Sequence, residues 1–121
     1  MDRVRFMTHQ GKQILLADFT NCGAEEVIEL LTAVQRIVTA QPRTSVLTLG
    51  DFTGAQFSRA AVTRLKEVAV FDKPYVKRAA LVGADSLPKV FYEAVKTFSQ
   101  REFNRFKTRE EAMDWLVRED A

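Results

Sequence analysis

The chain has 121 residues, 46% of them hydrophobic and 28% charged, which suits one globular domain with a core of its own. Its formal net charge of +2 is too small to indicate binding to nucleic acid or to a membrane surface. The single cysteine, Cys22, excludes an intramolecular disulfide, and the sequence shows neither an apolar leader nor a long apolar run. We therefore expect a single domain over residues 1–121, located in the cytoplasm and not inserted in a membrane.

The N-terminal segment is predicted to form an antiparallel pair of strands. Val4 and Phe6 alternate with polar residues, as in a strand with one buried face, and Gly11 then marks a tight turn. Residues 14–17 follow as an unbroken apolar block. Because this block lacks alternation, we expect the second strand to be the more buried one.

The next segments alternate between helix and strand. An apolar stripe at helical spacing predicts a first helix over residues 24–40, closed by Gln41 and Pro42. A third strand at 45–49 and a second helix at 58–71 follow. The segment 75–83 is predicted to form a fourth, central strand, because its stretch 79–82 is apolar throughout.

The C-terminal part continues the same alternation. Residues 85–88 open a third helix, since proline is tolerated in a first turn. The predicted buried face of this helix consists of Leu87, Val90, Phe91, Ala94, Val95 and Phe98. Phe103 and Phe106 flank a short fifth strand, and a capping box from Thr108 to Glu111 starts a last helix. The residues that this last helix is expected to bury are Ala112, Trp115 and Leu116.

The order of these elements, ββαβαβαβα, determines the fold class. Strands that are separated by helices imply right-handed crossovers and parallel neighbours. We therefore predict an α/β fold with a mostly parallel five-stranded sheet, in which the first strand is antiparallel and four helices flank the sheet.

The tripeptide Asp-Phe-Thr occurs twice, at 18–20 and at 51–53, each time after an apolar strand and before a helix. A third strand-to-helix corner lies at 83–86. The carboxyl ends of parallel strands meet at one edge of a sheet, where binding sites usually form. We call this edge the rim and define it as residues 18–21, 51–58 and 83–86. Its predicted polar side chains are Asp18, Thr20, Asp51, Thr53, Asp85 and Ser86.

Three interpretations of the rim follow from its residue types. Aspartate, threonine and serine at such corners commonly cap turns and helix N-termini, while Phe19 and Phe52 point inward and pack. Alternatively, the three carboxylates hold Mg²⁺, although each corner supplies a single acid. In the third interpretation the rim is a docking surface, and one of its hydroxyl groups accepts a regulatory phosphate.

The sequence shows no pattern that is typical of an enzyme. No recognisable sequence motif places a serine, cysteine or acid to make a triad with His9, the only histidine, and Gly50 and Gly54 are isolated, so a phosphate-binding loop motif is absent. We expect no catalytic residue, no resident metal and no cofactor. The basic and aromatic residues of the segment 101–109 fit a solvated edge strand better than a nucleic-acid site.

The segment SVLTLGDFTGAQFSRAAVTRL, residues 45–65, resembles the core of the STAS superfamily, which includes anti-sigma-factor antagonists and domains of sulphate transporters. The chain is most similar to its SpoIIAA-like branch, also described as STAS/Sec14-like. The segments that carry this likeness are HQGKQILLADFTN at 9–21, SVLTLGDFTG at 45–54, KPYVKRAALVGADSL at 73–87 and FKTREEAMDWL at 106–116.

The resemblance to the antagonists implies a regulatory domain that binds another protein, a kinase-like or signalling partner. Aligning the third strand puts Ser58 at or beside the phosphorylated serine of that family, and Thr53 is a second candidate acceptor. The family signature Asp-Ser-Ser-Gly is replaced here by Gln-Phe-Ser-Arg at 56–59. The predicted partner-binding residues are Asp18, Asp51, Phe52, Thr53, Gly54, Phe57, Ser58, Asp85 and Ser86.

The Sec14 side of the resemblance implies an alternative function, a small carrier or sensor for a lipid or an anion. An interaction module predicts an exposed rim with Phe52 or Phe57 partly uncovered, whereas a carrier predicts an apolar pocket between helices. An enzyme predicts Asp18 and Asp51 close enough to share an ion. A homodimer through the edge strand or a helix face is compatible with the sequence.

Overall fold

The computed structural model of the chain describes residues 3–83, 85, 87–101 and 103–118, apart from the side chains of Phe91 and Phe98. The strands are β1 (Val4–His9), β2 (Lys12–Asp18), β3 (Val46–Asp51), β4 (Val76–Val82) and β5 (Asn104–Phe106). The helices are α1 (Ala24–Val38), α2 (Arg59–Asp72), α3 (Lys89–Ser99) and α4 (Arg109–Leu116). The elements follow one another in the predicted order.

The strands lie side by side in the order β1-β2-β3-β4-β5, with β1 antiparallel to β2 and the other pairs parallel. Each new parallel strand is added on the same side of the previous one, so right-handed crossovers place their helices on one face. Accordingly α1 packs against α2 and α2 against α3, whereas α4 contacts β3 and β4 from the opposite face. The α/β class and the mostly parallel sheet are confirmed.

The core has two parts because β2, β3 and β4 are covered on both faces. Leu15 and Ala17 of β2 pack with α1 and α2, while Ile14 and Leu16 pack with α4. All four side chains are buried, which explains why β2 shows no alternation in its sequence.

Side-chain caps fix where two helices begin. The Ser58 hydroxyl accepts a hydrogen bond from the Ala61 amide at 3.1 Å at the start of α2. The Thr108 hydroxyl accepts from the Glu111 amide at 3.2 Å at the start of α4, as the capping box predicts.

The predicted inner face of α3 is partly wrong. Val90 was expected to be buried, but 69% of it is exposed. Of the α3 side chains that the structure describes, Tyr92, Val95 and Ser99 are buried. A tyrosine and a serine can be buried there because their hydroxyl groups donate to the carbonyls of Phe103 and Val95. Phe91 and Phe98, also predicted to be buried, lie outside the described side chains.

The last helix buries two of its three predicted inward residues fully and the third, Trp115, in part. Ala112 and Leu116 are fully buried. Trp115 is half-buried and packs its ring against Phe106, with ring centroids 5.5 Å apart.

Candidate functional site

The structure brings the two Asp-Phe-Thr corners together at the rim. Asp18 and Asp51 are direct neighbours in the parallel pairing of β2 with β3. Past the ends of the strands, the Phe19 amide donates to the Asp51 carbonyl at 2.8 Å and the Asn21 amide to the Thr53 carbonyl at 2.9 Å. The corners therefore continue the hydrogen-bond ladder of the sheet.

Each corner forms the same local turn. Oδ1 of Asp18 accepts from the amide of Thr20 at 3.0 Å and from its hydroxyl at 2.6 Å. Oδ1 of Asp51 accepts from the amide and the hydroxyl of Thr53 at 3.0 and 2.7 Å. The repeated tripeptide thus serves a repeated turn, in which the threonine hydroxyl already has an acceptor.

Arg109, at the start of α4, joins the two corners. Its Nε donates to Oδ2 of Asp51 at 2.6 Å, and its Nη2 lies 3.1 Å from Oδ1 of Asp18. Nη1 of Arg3 donates to the carbonyls of Asp18 and Thr20 at 3.1 and 3.0 Å. The two carboxylates do share a cation, and that cation is a guanidinium of the chain itself.

The charges at the rim stabilise one another. Burial would raise the pKa of Asp18, but the hydrogen bonds from Thr20 and the charges of Arg109 and Arg3 hold it below its ordinary value. Burial would lower the pKa of Arg109, but its contacts with Asp51 and Asp18 raise it. Both groups are therefore ionised at neutral pH.

The phenylalanines of the corners form the inner side of the rim. Phe19 and Phe52 stack with ring centroids 4.6 Å apart and planes inclined by 3°. Phe52 was predicted to contact a partner, but only 3% of it is exposed, because this stacking places it in the core. Phe57 lies 5.6 Å from Phe52, centroid to centroid, and stays half-buried.

The outer side of the rim is the segment 53–58, which has no helix or strand. Thr53 and Gly54 are exposed, while Phe57 and Ser58 are half-buried. The backbone hydrogen bonds that hold the segment include those from the Ala55 amide to the Phe52 carbonyl and from the Gln56 amide to the Cys22 carbonyl, both 2.9 Å.

The third corner contributes less to the described rim. Asp85 is exposed, and Ser86 lies outside the described residues. Gly83 has φ +68°, and a side chain there would overlap the Thr53 backbone. The third corner thus touches the second by its backbone.

A second candidate site lies in the interior, between the sheet and helices α1 and α2. It is a cavity of about 80 Å³. The residues that line it are Leu15, Ala17, Phe19, Leu31, Val34, Thr48, Leu49, Gly50, Phe52, Leu65, Val68, Ala69, Asp72, Val76, Ala79, Ala80, Leu81, Arg101 and Phe103. This wall is apolar almost throughout, and its charged members are Asp72 and Arg101.

Asp72 is the last residue of α2 and is only 3% exposed. None of the described residues donates a hydrogen bond to its Oδ1. Burial raises the pKa of Asp72 to about 6, although the charges of Arg101 and Arg64 oppose that rise. An acid at the C-terminal end of a helix also faces the negative end of the helix dipole.

Arg101 approaches the cavity from the segment after α3. Its Nη1 donates to the Ala69 carbonyl at 2.9 Å, in the last turn of α2, and its guanidinium lies 4.6 Å from the centre of the Phe103 ring. Burial lowers the pKa of Arg101 to about 10, against the opposing effect of Asp72. Arg101 therefore has two roles: it caps a carbonyl at the C-terminal end of α2, and it lines the cavity.

The basic segment 101–109 does not form one continuous basic surface. Arg101 turns toward the cavity and Arg109 toward the rim, while Arg105 lies 4.5 Å from the centre of the Tyr92 ring. The remaining basic side chain, Lys107, is exposed.

Sequence reasoning missed Arg109, Arg3, Asp72 and Arg101. Two of them carried a local signal. Arg109 is a cation in the first turn of a helix and Asp72 an anion in the last, each against the helix dipole.

Metal binding, a reactive thiol and a membrane span were also considered in the part of the chain that the structure describes. It contains no cluster of three or more histidine, cysteine, aspartate or glutamate side chains that could hold a metal ion. Cys22 is fully buried, and burial raises the pKa of its thiol. No helix within these residues is long and apolar enough to cross a membrane.

Comparisons with known proteins identify the fold. A solved structure of an uncharacterised protein from the DUF3478 family, with a SpoIIAA-like fold, from Shewanella loihica PV-4, superposes with a TM-score of 0.71. The match covers 94% of this chain and 92% of that one at 19% sequence identity. No family model matches the chain, and no curated protein does. The chain has a SpoIIAA-like fold, as its resemblance to the STAS superfamily implied.

Proposed function

We propose that the protein is a non-enzymatic regulatory domain of the cytoplasm that docks onto another protein through residues 53–58 of the rim. The observation that carries this proposal is the state of that segment. It is irregular and partly exposed, yet its backbone is tied to Phe52 and Cys22. A loop that is already ordered loses little conformational entropy when a partner binds it.

The carboxylates behind this segment favour binding over catalysis. Asp18 and Asp51 are held by their own turns and by Arg109. A general acid or base needs a pKa near the working pH, whereas the pKa of Asp18 is shifted away from it.

The two candidate phosphate acceptors differ in their surroundings. The Ser58 hydroxyl lies at the N-terminus of α2, where the helix dipole favours an anion. The Thr53 hydroxyl donates to Asp51, so a phosphoryl group on Thr53 would lose that bond and meet a carboxylate. These contacts favour Ser58 as the regulatory position.

Site-specific photo-crosslinking in the native host tests the docking proposal. A crosslinking amino acid replaces Gln56, which is exposed on the segment, or Arg43, which is exposed before the opposite end of β3. We expect a discrete crosslinked protein at position 56, none at position 43, and a weaker band in the Ser58→Glu variant. Equal crosslinking at both positions would contradict docking at the rim.

The cavity favours a second candidate function, a small carrier or sensor. It has the apolar wall that a carrier needs. Its volume of about 80 Å³ suits a small molecule or a short stretch of alkyl chain.

A further inference from the structure

We propose that the cavity binds a small apolar molecule that carries one hydrogen-bond donor, an amine or a hydroxyl group, which donates to Oδ1 of Asp72. This inference rests on the second candidate function and adds a ligand class to it. It is independent of docking at the rim.

The apolar body of the ligand follows from the cavity wall. Leu31, Val34 and Val68 from the helices face Leu15 and Leu81 from the sheet across it. Burial against such a wall stabilises an apolar group by removing it from water. A polar group would lose its hydrogen bonds to water there and find few partners in return. A smaller cavity of about 30 Å³ also has Leu81 in its wall, so the apolar lining continues toward α3.

The donor group follows from Asp72. A carboxylate oxygen that is buried without a donor costs free energy, and native proteins rarely leave one so. Here the cost is increased by the end of α2, whose dipole disfavours an anion. Oδ1 of Asp72 has no donor among the described residues, and Asp72 belongs to the cavity wall. A ligand with an N–H or O–H group would donate the hydrogen bond that Oδ1 of Asp72 lacks.

Arg101 suggests the opposite ligand, an anion, but its contacts argue against it. Its Nη1 already donates to the Ala69 carbonyl, and its guanidinium packs on Phe103. An anion beside it would also enter the field of Asp72, which is ionised above pH 6. Oδ1 of Asp72, the acceptor without a donor among the described residues, therefore determines the ligand.

NMR titration of the full chain at pH 8 tests this inference with butylamine, 1-butanol and butyrate, which share one alkyl chain. We expect butylamine and 1-butanol to shift the amide signals of Val68, Ala69 and Val76, which line the cavity. Butyrate is expected to bind at least tenfold more weakly than butylamine, because its carboxylate meets Asp72.

The Asp72→Asn variant keeps the shape of the side chain and removes its charge. We expect its dissociation constant for butylamine to rise at least tenfold, with a smaller change for 1-butanol. Asp72→Leu, which removes the acceptor, should abolish binding of both probes. Glu93→Gln neutralises an exposed carboxylate on α3 and should change neither constant.

Benzene, which has no donor, separates failure of this inference from failure of the carrier function. The inference is overturned if butyrate or benzene binds as tightly as butylamine, or if Asp72→Asn leaves the constant for butylamine unchanged. In those cases the cavity still accepts ligands and the carrier function stands. If none of the four probes shifts a cavity signal, both are wrong.

Discussion

Asp18 and Asp72 are aspartates of one chain in opposite electrostatic surroundings. Asp18 receives two hydrogen bonds from Thr20 and lies beside Arg109, which together outweigh its burial and lower its pKa. Asp72 is buried with one oxygen unpaired, so burial dominates and its pKa rises. The two aspartates differ both in burial and in hydrogen bonding, since Asp18 has 22% of its side chain exposed and Asp72 is only 3% exposed.

The raised pKa of Asp72 predicts how stability changes with pH. The pKa rises from 3.8 in the unfolded chain to about 6 in the folded one, so the folded state binds the proton more tightly. This contribution is fully present below pH 4 and is lost as the pH rises through about 6. Arg101 and Arg64 are the charged groups that act on Asp72.

We therefore expect Asp72→Asn to be more stable than the wild type at pH 8, with a free energy of unfolding larger by on the order of 2–3 kcal/mol and a higher unfolding temperature. At about pH 3 the difference should nearly vanish, because Asp72 is then largely protonated in both states. Thermal unfolding of both proteins at the two pH values measures this, and Glu93→Gln, which neutralises an exposed carboxylate on α3, serves as the control. A stability difference that is independent of pH would show that Asp72 is not the titrating group.

At the scale of elements, one side chain connects three of them. Arg109 begins α4 and binds the aspartates that end β2 and β3. Asp51 is nearly buried, with 7% of its side chain exposed, so the loss of Arg109 leaves a carboxylate in the interior without its counter-charge. Breaking a buried pair from one side is costly for that reason.

Arg109→Gln is expected to lower the free energy of unfolding by about 2–4 kcal/mol, as measured by urea denaturation at pH 7. Arg36→Gln removes an exposed charge from the last turn of α1 and should cost less than about 0.5 kcal/mol. Adding Asp51→Asn to Arg109→Gln should cost less than the two separate effects combined, because the stranded charge is then gone. Simple additivity of the two substitutions would refute the pairing.

The elements themselves could be predicted from the sequence because their signals are local. The apolar block at 14–17, the helical stripe after Ala24 and the capping box at Thr108 each lie within a few residues. The contact of Arg109 with Asp51 joins residues 58 positions apart, so no local pattern contains it. The burial of Tyr92 in α3 was not predicted for a related reason, since its hydroxyl donates to the backbone carbonyl of Phe103, and a backbone carbonyl leaves no mark in the sequence.

The candidate sites show the same contrast between what local sequence patterns predict and what depends on tertiary packing. Two aspartates at strand ends predict a shared edge, because parallel strands end together. Whether the two aspartates share a metal ion or the guanidinium of Arg109 depends on where α4 packs against the sheet. The cavity beside Asp72 depends on how closely α1 and α2 approach the sheet, which composition does not determine.

At the scale of the whole molecule, the two faces of the sheet are covered unequally. Helices α1, α2 and α3 lie on one face, while α4, a helix of 8 residues, contacts β3 and β4 from the other. The side chains of α4 that complete this second core include Ala112 and Leu116, both buried. The second face therefore depends on few side chains, each with a large share of the buried area.

Leu116→Ala tests this asymmetry. Leu116 is 1% exposed in the second core, and replacing a buried leucine by alanine costs about 2–5 kcal/mol through lost burial and the cavity left behind. Val90→Ala is the matched control, because Val90 on α3 is 69% exposed and should cost less than about 0.5 kcal/mol. Urea denaturation and amide exchange of β3 and β4 measure both effects. If Leu116→Ala were as mild as the control, α4 would not seal the sheet, and the guanidinium of Arg109 would be what holds that helix in place.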